Sequence, residues 1–214
     1  MATEIKYKNA LGLQVSAQQA NLLIGDYSHE LYVDGVLKKI DLFEDGQLDN
    51  GEYFLSEGED IQSALLLTQS EWNSGVYLTK VQQTANYTLF DWILYEKTTK
   101  LEEGKRLVDN QGRVIAEQYM DLSTHAIRYT VKYSYLANLG SFVNSGTISN
   151  YGTLEFTYGY REPNEIMVEV NLPGFNNETY FITAEDNILN HPIITPLFSW
   201  DTQIYYHSDQ LIPL

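Results

Sequence analysis

The chain has no cysteine in its 214 residues. That absence excludes disulfide staples, thiol nucleophiles and Cys-ligated zinc, and it suits either a reducing or an oxidising compartment. No run of about 18 apolar residues occurs, so no membrane-spanning helix is expected. The opening MATEIKYKNA has no apolar h-region. The expectation is therefore a cytoplasmic chain without an export signal, although a mature form already stripped of its signal would read the same. Bases are scarce: 13 Lys and Arg stand against 29 Asp and Glu, for a formal net charge of −16. No cationic stripe exists to neutralise phosphates, so neither nucleic acid nor an anionic membrane is an expected partner. Beyond Arg161 no Lys or Arg remains.

Signatures of chemistry are missing as well. The sequence holds no HExxH, P-loop, nucleophile elbow or dinucleotide fingerprint. His29, His125, His191 and His207 keep no metal-ligand spacing. The stretch from Asp45 to Ser56 is acidic, but Asn50 and Ser56 stand where a calcium loop needs Gly and Glu. No metal and no cofactor are expected, and the chain reads as non-enzymatic. A hydrolase built on paired carboxylates is the third reading. Asp91, with Leu89, Ile93 and Tyr95 beside it, is the acid best placed for a raised pKa.

What the chain does have is strand pattern. His125, Ile127, Tyr129, Val131, Tyr133 and Tyr135 alternate with polar neighbours, and residues 153–160 and 165–172 repeat the period of two. Such alternation predicts antiparallel strands with one buried face. Residues 87–96 are apolar on nearly both faces and predict a central strand. Two helices are expected: a short one opening at Ser16 with Leu22 and Leu23 on its buried side, and one over about 57–70. Ser56 and Glu59 form a capping box for the second, and Ile61, Ala64, Leu65 and Thr68 mark its apolar face, widened by Leu66 and Leu67. Residues 97–105 read as a surface connection, and 196–200 and 202–207 as short closing strands. The fold expected is mainly β (α+β): a curled antiparallel sheet or sandwich of about ten strands with one helix near 57–70 packed on it, in a single domain over 1–214.

The densest feature runs from Asp26 to Asp60, with 11 acids and only Lys38 and Lys39 opposing them. Asp34-Gly35 predicts a tight hairpin placing Val33 opposite Val36 and Leu31 opposite Lys38. Asp45-Gly46 and Asn50-Gly51 follow too closely for both to close hairpins, so 44–51 reads as one exposed acidic loop before a short strand at 52–55. Residues 32–37 and 43–48 both read aromatic-x-Asp-Gly-x-Leu. This resembles the short hairpin units of bacterial MORN-type repeats, many of which sit in antitoxin-like or immunity proteins; it covers about a tenth of the chain.

The first functional expectation is a binding protein whose acidic ribbon captures a basic protein, possible toxins included, as an immunity protein would. Phe43, Glu44, Asp45, Asp49, Glu52, Tyr53, Glu57, Glu59 and Asp60 would make the contacts, with Phe43 or Tyr53 as aromatic anchors. The alternative is a β-barrel or sandwich that binds a small ligand or carbohydrate through Tyr129, Tyr133 and Tyr158.

Overall fold

The computed structural model describes residues 2–9, 13–22, 26–136, 142–144, 147–149, 152–172, 178–186, 195 and 198–213. The chain is mainly β, as expected, with more and longer strands than the predicted ten. They are β1 (Thr3–Asn9), β2 (Gln14–Val15), β3 (Tyr27–Val33), β4 (Val36–Glu44), β5 (Gln47–Leu55), β6 (Ser74–Gln83), β7 (Tyr87–Glu96) and β8 (Thr99–Asp109). Then come β9 (Val114–Met120), β10 (Ile127–Leu136), β11 (Phe142–Asn144), β12 (Thr147–Ser149), β13 (Gly152–Tyr158), β14 (Glu165–Asn171) and β15 (Glu178–Thr183). Two helices, α1 (Ala17–Ala20) and α2 (Ile61–Thr68), accompany them. By internal contacts the chain divides into two compact units, the first covering 1–83 and 89–103 and the second 84–88 and 104–214. Among the described residues no helix is long and apolar enough to cross a membrane.

In the first unit the hydrogen-bonded order is β8-β7-β6-β5-β4-β3-β1-β2. The meander β3–β4–β5 is closed by two Asp-Gly turns, one at Asp34-Gly35 and one at Asp45-Gly46. All four residues lie at positive φ (50°, 80°, 47° and 75°). That is the conformation a two-residue hairpin demands and the one Asp and Gly tolerate. The acidic loop expected at 44–51 is thus a tight turn between two nine-residue strands. Asn50-Gly51, a second turn signal in the sequence, lies inside β5.

A bulge alters the predicted register. Val33 does face Val36, but Leu31 pairs with Lys39 rather than Lys38. The slip lets Lys38 reach the far end of β5, where it donates to the Phe54 carbonyl and the Ser56 hydroxyl, each at 2.9 Å, and meets Glu59.

From β5 the chain crosses through α2 into β6, which pairs parallel to β5, a parallel pair within a fold expected to be mainly antiparallel. Helix α2 starts later than the predicted 57 because Gly58 sits at φ +75°, outside helical space. Asp60, not Ser56, is the N-cap and accepts from the Ser63 N–H. Glu59 still accepts from the Ser56 N–H at 2.8 Å, so half of the expected box forms as a turn ahead of the helix. Ala64, Leu65 and Thr68 are buried against Tyr53, Trp72 and Tyr77. Leu66 and Leu67 face outward, 69% and 64% exposed, instead of widening the buried stripe. Helix α1 keeps its Ser16 cap through a capping box with Gln19, but lasts one turn and leaves Leu22 exposed. Leu23 lies outside the described residues.

In the second unit the order is β15-β14-β13-β10-β9-β8. The expected connection at 97–105 is mostly strand: only Lys97 (φ 53°) and Thr98 turn, and β8 runs eleven residues from Thr99. His125 (φ 57°) belongs to the turn before β10, not to its face. Leu136, Leu154, Phe156, Ile166, Val168, Val170, Leu172 and Ile182 make one buried face, covered by Phe198 and Trp200 from the C-terminal segment. That segment forms 3-10 turns at Trp200–Thr202 and Ile204–His207 rather than the strand expected at 202–207; the strand expected at 196–200 lies partly outside the described residues. Lys132, only 1% exposed, ties the segment down by donating to the Tyr205 and Ser208 carbonyls, while Gln118 and Thr130 donate to that of Asp209.

Candidate functional site

The nine acidic-ribbon residues do not form one patch. Glu44 ends β4, Asp45 opens the turn after it, and both are exposed; Glu57 and Asp60 lie beyond the opposite end of β5, also exposed. Nine strand residues separate the two groups, roughly 30 Å at ~3.3 Å per residue. Asp26 adjoins the first group, since Tyr27 pairs with Phe43 and so brings Asp26 beside Glu44.

Several of the nine are committed to the fold. Asp49 accepts from the side chains of Asn73 and Asn50, which hold its carboxyl below the ordinary range, and its carbonyl accepts from the Asn73 N–H. Glu59 is partly buried, which works against its charge. Lys38, the Ser56 N–H and the Tyr53 hydroxyl outweigh this and keep the carboxyl below its usual range. Asp60 caps α2. Tyr53 is 6% exposed beneath Lys38, whose ammonium stands 4.6 Å from the ring centroid, so it cannot serve as an aromatic anchor without unfolding the site. Glu52 is half-buried in mid-strand. Phe43 stacks on Tyr27 at 4.5 Å, within a cluster that also holds His29 and Tyr7. Burial lowers the His29 pKa, partly opposed by Asp41 and reinforced by Lys39.

The lysines here are neutralised locally. Lys8 pairs with Glu30 at 2.6 Å, Lys39 with Asp41 and Glu71 at 3.0 and 2.9 Å, Lys38 with Glu59, and Lys6 more loosely with Glu4 at 3.6 Å. Every lysine on β1 and β4 therefore has an acid beside it, while Asp26, Glu44, Asp45 and Glu57 have no basic neighbour within ion-pair distance among the described residues. The field leaving both ends of the meander is negative.

The three tyrosines of the alternative site are divided between two faces. Thr130, Lys132 and Ser134 share the core face with Tyr158, which sits opposite Thr130 and donates to Asn164. Tyr129 and Tyr133 lie on the other face. There Tyr129 stacks on Tyr119 at 4.4 Å, and Tyr133 begins a cross-strand row with Glu155 on β13 and Glu169 on β14. Neighbouring side chains in such a row stand about 5 Å apart at Cβ. Burial, with Glu169 and Glu117 adding to it, raises Glu155 to about 7. Glu117 itself is paired with Arg106 at 2.6 Å. Asp91, the acid singled out in the sequence, is exposed on β7 and lacks the apolar cover its neighbours suggested.

Glu155 and Glu169 were legible only as wet-face positions of two alternating stretches; their juxtaposition depends on a register the sequence does not carry. Among the described residues no group of three or more His, Asp and Glu side chains is arranged to hold a metal ion. No family model, curated protein or solved structure matches the chain.

Proposed function

We propose that the protein is a non-enzymatic acidic binding protein that captures a basic protein partner, acting as an immunity or antitoxin-like inhibitor does when it covers a cationic site. The observation that carries this reading is the pairing of the meander's lysines beside unopposed acids at Asp26, Glu44, Asp45 and Glu57. An outward field of one sign accelerates encounter with an opposite surface and rejects partners of like charge. The aromatic contact falls to Phe43, since Tyr53 is internal. The test is retention on the immobilised protein in about 0.1 M salt and elution as screening rises. A variant carrying Glu44→Gln, Asp45→Asn and Glu57→Gln should lose the retained basic protein; equal retention by that variant would remove the reading.

A second reading has one observation in its favour. The row Tyr133–Glu155–Glu169, with Tyr129 roughly 13 Å further along the same strand face, offers an aromatic ring beside two carboxylates, one of them shifted towards its neutral form by burial. Aromatic faces and carboxylates together suit a sugar or a small cationic ligand. Tyr158 drops out of that site because it faces the core. Titration with a ligand panel, comparing wild type with Glu155→Gln, tests it.

A further inference from the structure

We propose that β15 is a docking edge for an extended, cationic segment of a partner, which adds to the second unit's sheet as a further strand. The direction of the backbone comes first. Glu165 donates its N–H to the Glu162 carbonyl and accepts at its own carbonyl from the Gly159 N–H, so its backbone groups turn away from β15. Thr183, paired with Glu165, is therefore in a pair without ladder bonds, and its N–H points outward, where the Asp186 carboxylate takes it at 2.5 Å. Alternation along an antiparallel strand turns the N–H and C=O groups of Phe181 and Thr179 outward too. Among the described residues nothing hydrogen-bonds them. β15 ends the strand order, and Glu178, Thr179, Phe181 and Thr183 are exposed. Unpaired edge groups of this kind are a template for strand addition.

The chemistry of the surroundings selects the occupant. Beside the edge lies a depression of about 270 Å³ formed by Glu162, Pro163, Glu165, Phe181 and Asp186 among others. Phe181 is 46% exposed at its margin. The chain itself demonstrates what this place accepts. Arg161 lays its guanidinium 3.9 Å from the Phe181 ring centroid and pairs with Glu165 at 3.2 Å. Aromatic face and carboxylate thus already hold a guanidinium, while Glu162 and Asp186 add two more negative groups. After Arg161 no base occurs in the sequence, so a second copy would bring acids to acids along this edge. An extended segment with Arg or Lys at alternate positions would bring a cation to exchange with Arg161 over Phe181 while its backbone meets Thr179 and Phe181. This edge is in the second unit and shares no residue with the meander acids, so either proposal can fail alone.

The probe is a capped six-residue peptide alternating Arg and Thr, titrated into the full chain by calorimetry and by amide chemical shifts. Binding should weaken as salt rises and shift the Thr179 and Phe181 amides. Thr179→Pro removes an outward donor at a position where an edge strand tolerates proline. It should keep the melting temperature and lose at least tenfold in affinity, as should the same peptide with alternate N-methylated amides on wild type. Phe181→Thr, a change at an exposed site, gives the same readout if Thr179→Pro does not fold. A Glu44→Gln, Asp45→Asn variant should bind the peptide like wild type. Undiminished binding by Thr179→Pro and Phe181→Thr, undiminished binding of the N-methylated peptide, or no binding by wild type would each overturn the proposal.

Discussion

Gly51 and Gly75 stand directly opposite each other in the parallel β5–β6 ladder, and the Trp72 indole lies against both. A Cβ at Gly51 would come within 2.4 Å of that ring and 2.5 Å of the Ile40 carbonyl; at Gly75 the nearest ring atom would be at 2.6 Å. The indole N–H donates to Asp41 at 2.8 Å, which fixes the ring's position and leaves it nowhere to retreat. The two glycines are therefore close-approach positions, and neither needs a positive φ.

Gly51→Ala is accordingly expected to destabilise the protein by about 2 kcal/mol or more, as overpacking a filled site does, and Gly75→Ala by somewhat less. Denaturant titration followed by Trp fluorescence measures both. The sharper expectation is the combination of Gly51→Ala with Trp72→Phe. If the ring is what the methyl meets, the smaller ring recovers part of the loss of the single variant. Additive losses would place the clash on the Ile40 carbonyl instead.

These glycines also mark how far the sequence could be read. Asn50-Gly51 and Asn73-Ser74-Gly75 carry strong turn signals, and local rules cannot separate a turn glycine from one that admits an indole. Asp34-Gly35 was legible because it sits between two apolar runs, 31–33 and 36–37. Asp45-Gly46 carried the same signal and was obscured by its neighbour. In the second unit β10, β13 and β14 followed from period two, but the pairing of Glu155 with Glu169, the bulge that redirects Lys38 and the outward backbone of β15 are matters of register. Register depends on turn geometry, on bulges and on which face packs against the core, and the period of a single strand shows none of these. The charge of the acidic ribbon was plain in composition, whereas its division between two ends of a meander required the fold.

Glu155 gives a pH signature. Its folded pKa is raised from the ordinary 4.5 to about 7, chiefly by burial. Between those values the folded state holds a proton that the unfolded chain releases, so this group's contribution is greatest below about 4.5 and is lost as pH rises through 7. The loss is of the order of 3 kcal/mol. Glu155→Gln should flatten the decline between pH 5 and 7, measured as the denaturant midpoint against pH. A decline of equal size in the variant would assign it to other groups.

Lys132 acts in the alkaline range with the opposite slope. Burial lowers it from 10.5 to about 8, partly opposed by Asp209. Below pH 8 both states are charged and the folded state carries the full desolvation cost. From about 8 to 10 the folded lysine loses its proton before the unfolded one, and stability should rise with pH. The expected rise is about 3 kcal/mol, and Lys132→Met should abolish it. Because the ammonium holds the Tyr205 and Ser208 carbonyls, the variant should also speed amide exchange across residues 204–209. A retained alkaline rise in the variant would assign it elsewhere.

The division of the acids yields a test in which binding and stability separate. Asp45 sits at φ 47°, a conformation Asn accepts as readily as Asp, so Asp45→Asn keeps the turn while removing a charge. Joined with Glu44→Gln it should leave the melting temperature unchanged and weaken a basic partner, most strongly at low salt. Glu59→Gln removes one charge, half as much, a strand's length away and breaks contacts to Lys38, Tyr53 and the Ser56 N–H. It should cost about 1–2 kcal/mol of stability and change partner affinity little. The stabilisation from Glu59 belongs above its ordinary pKa near 4.5 and is lost as pH falls through its lowered folded value, so the two proteins should converge in acid. Calorimetric melting and partner titration on the same three proteins read both quantities. A loss of binding free energy in Glu59→Gln half that of the double variant would mean that the partner senses total charge, and that the position of the acids on the meander does not matter to it.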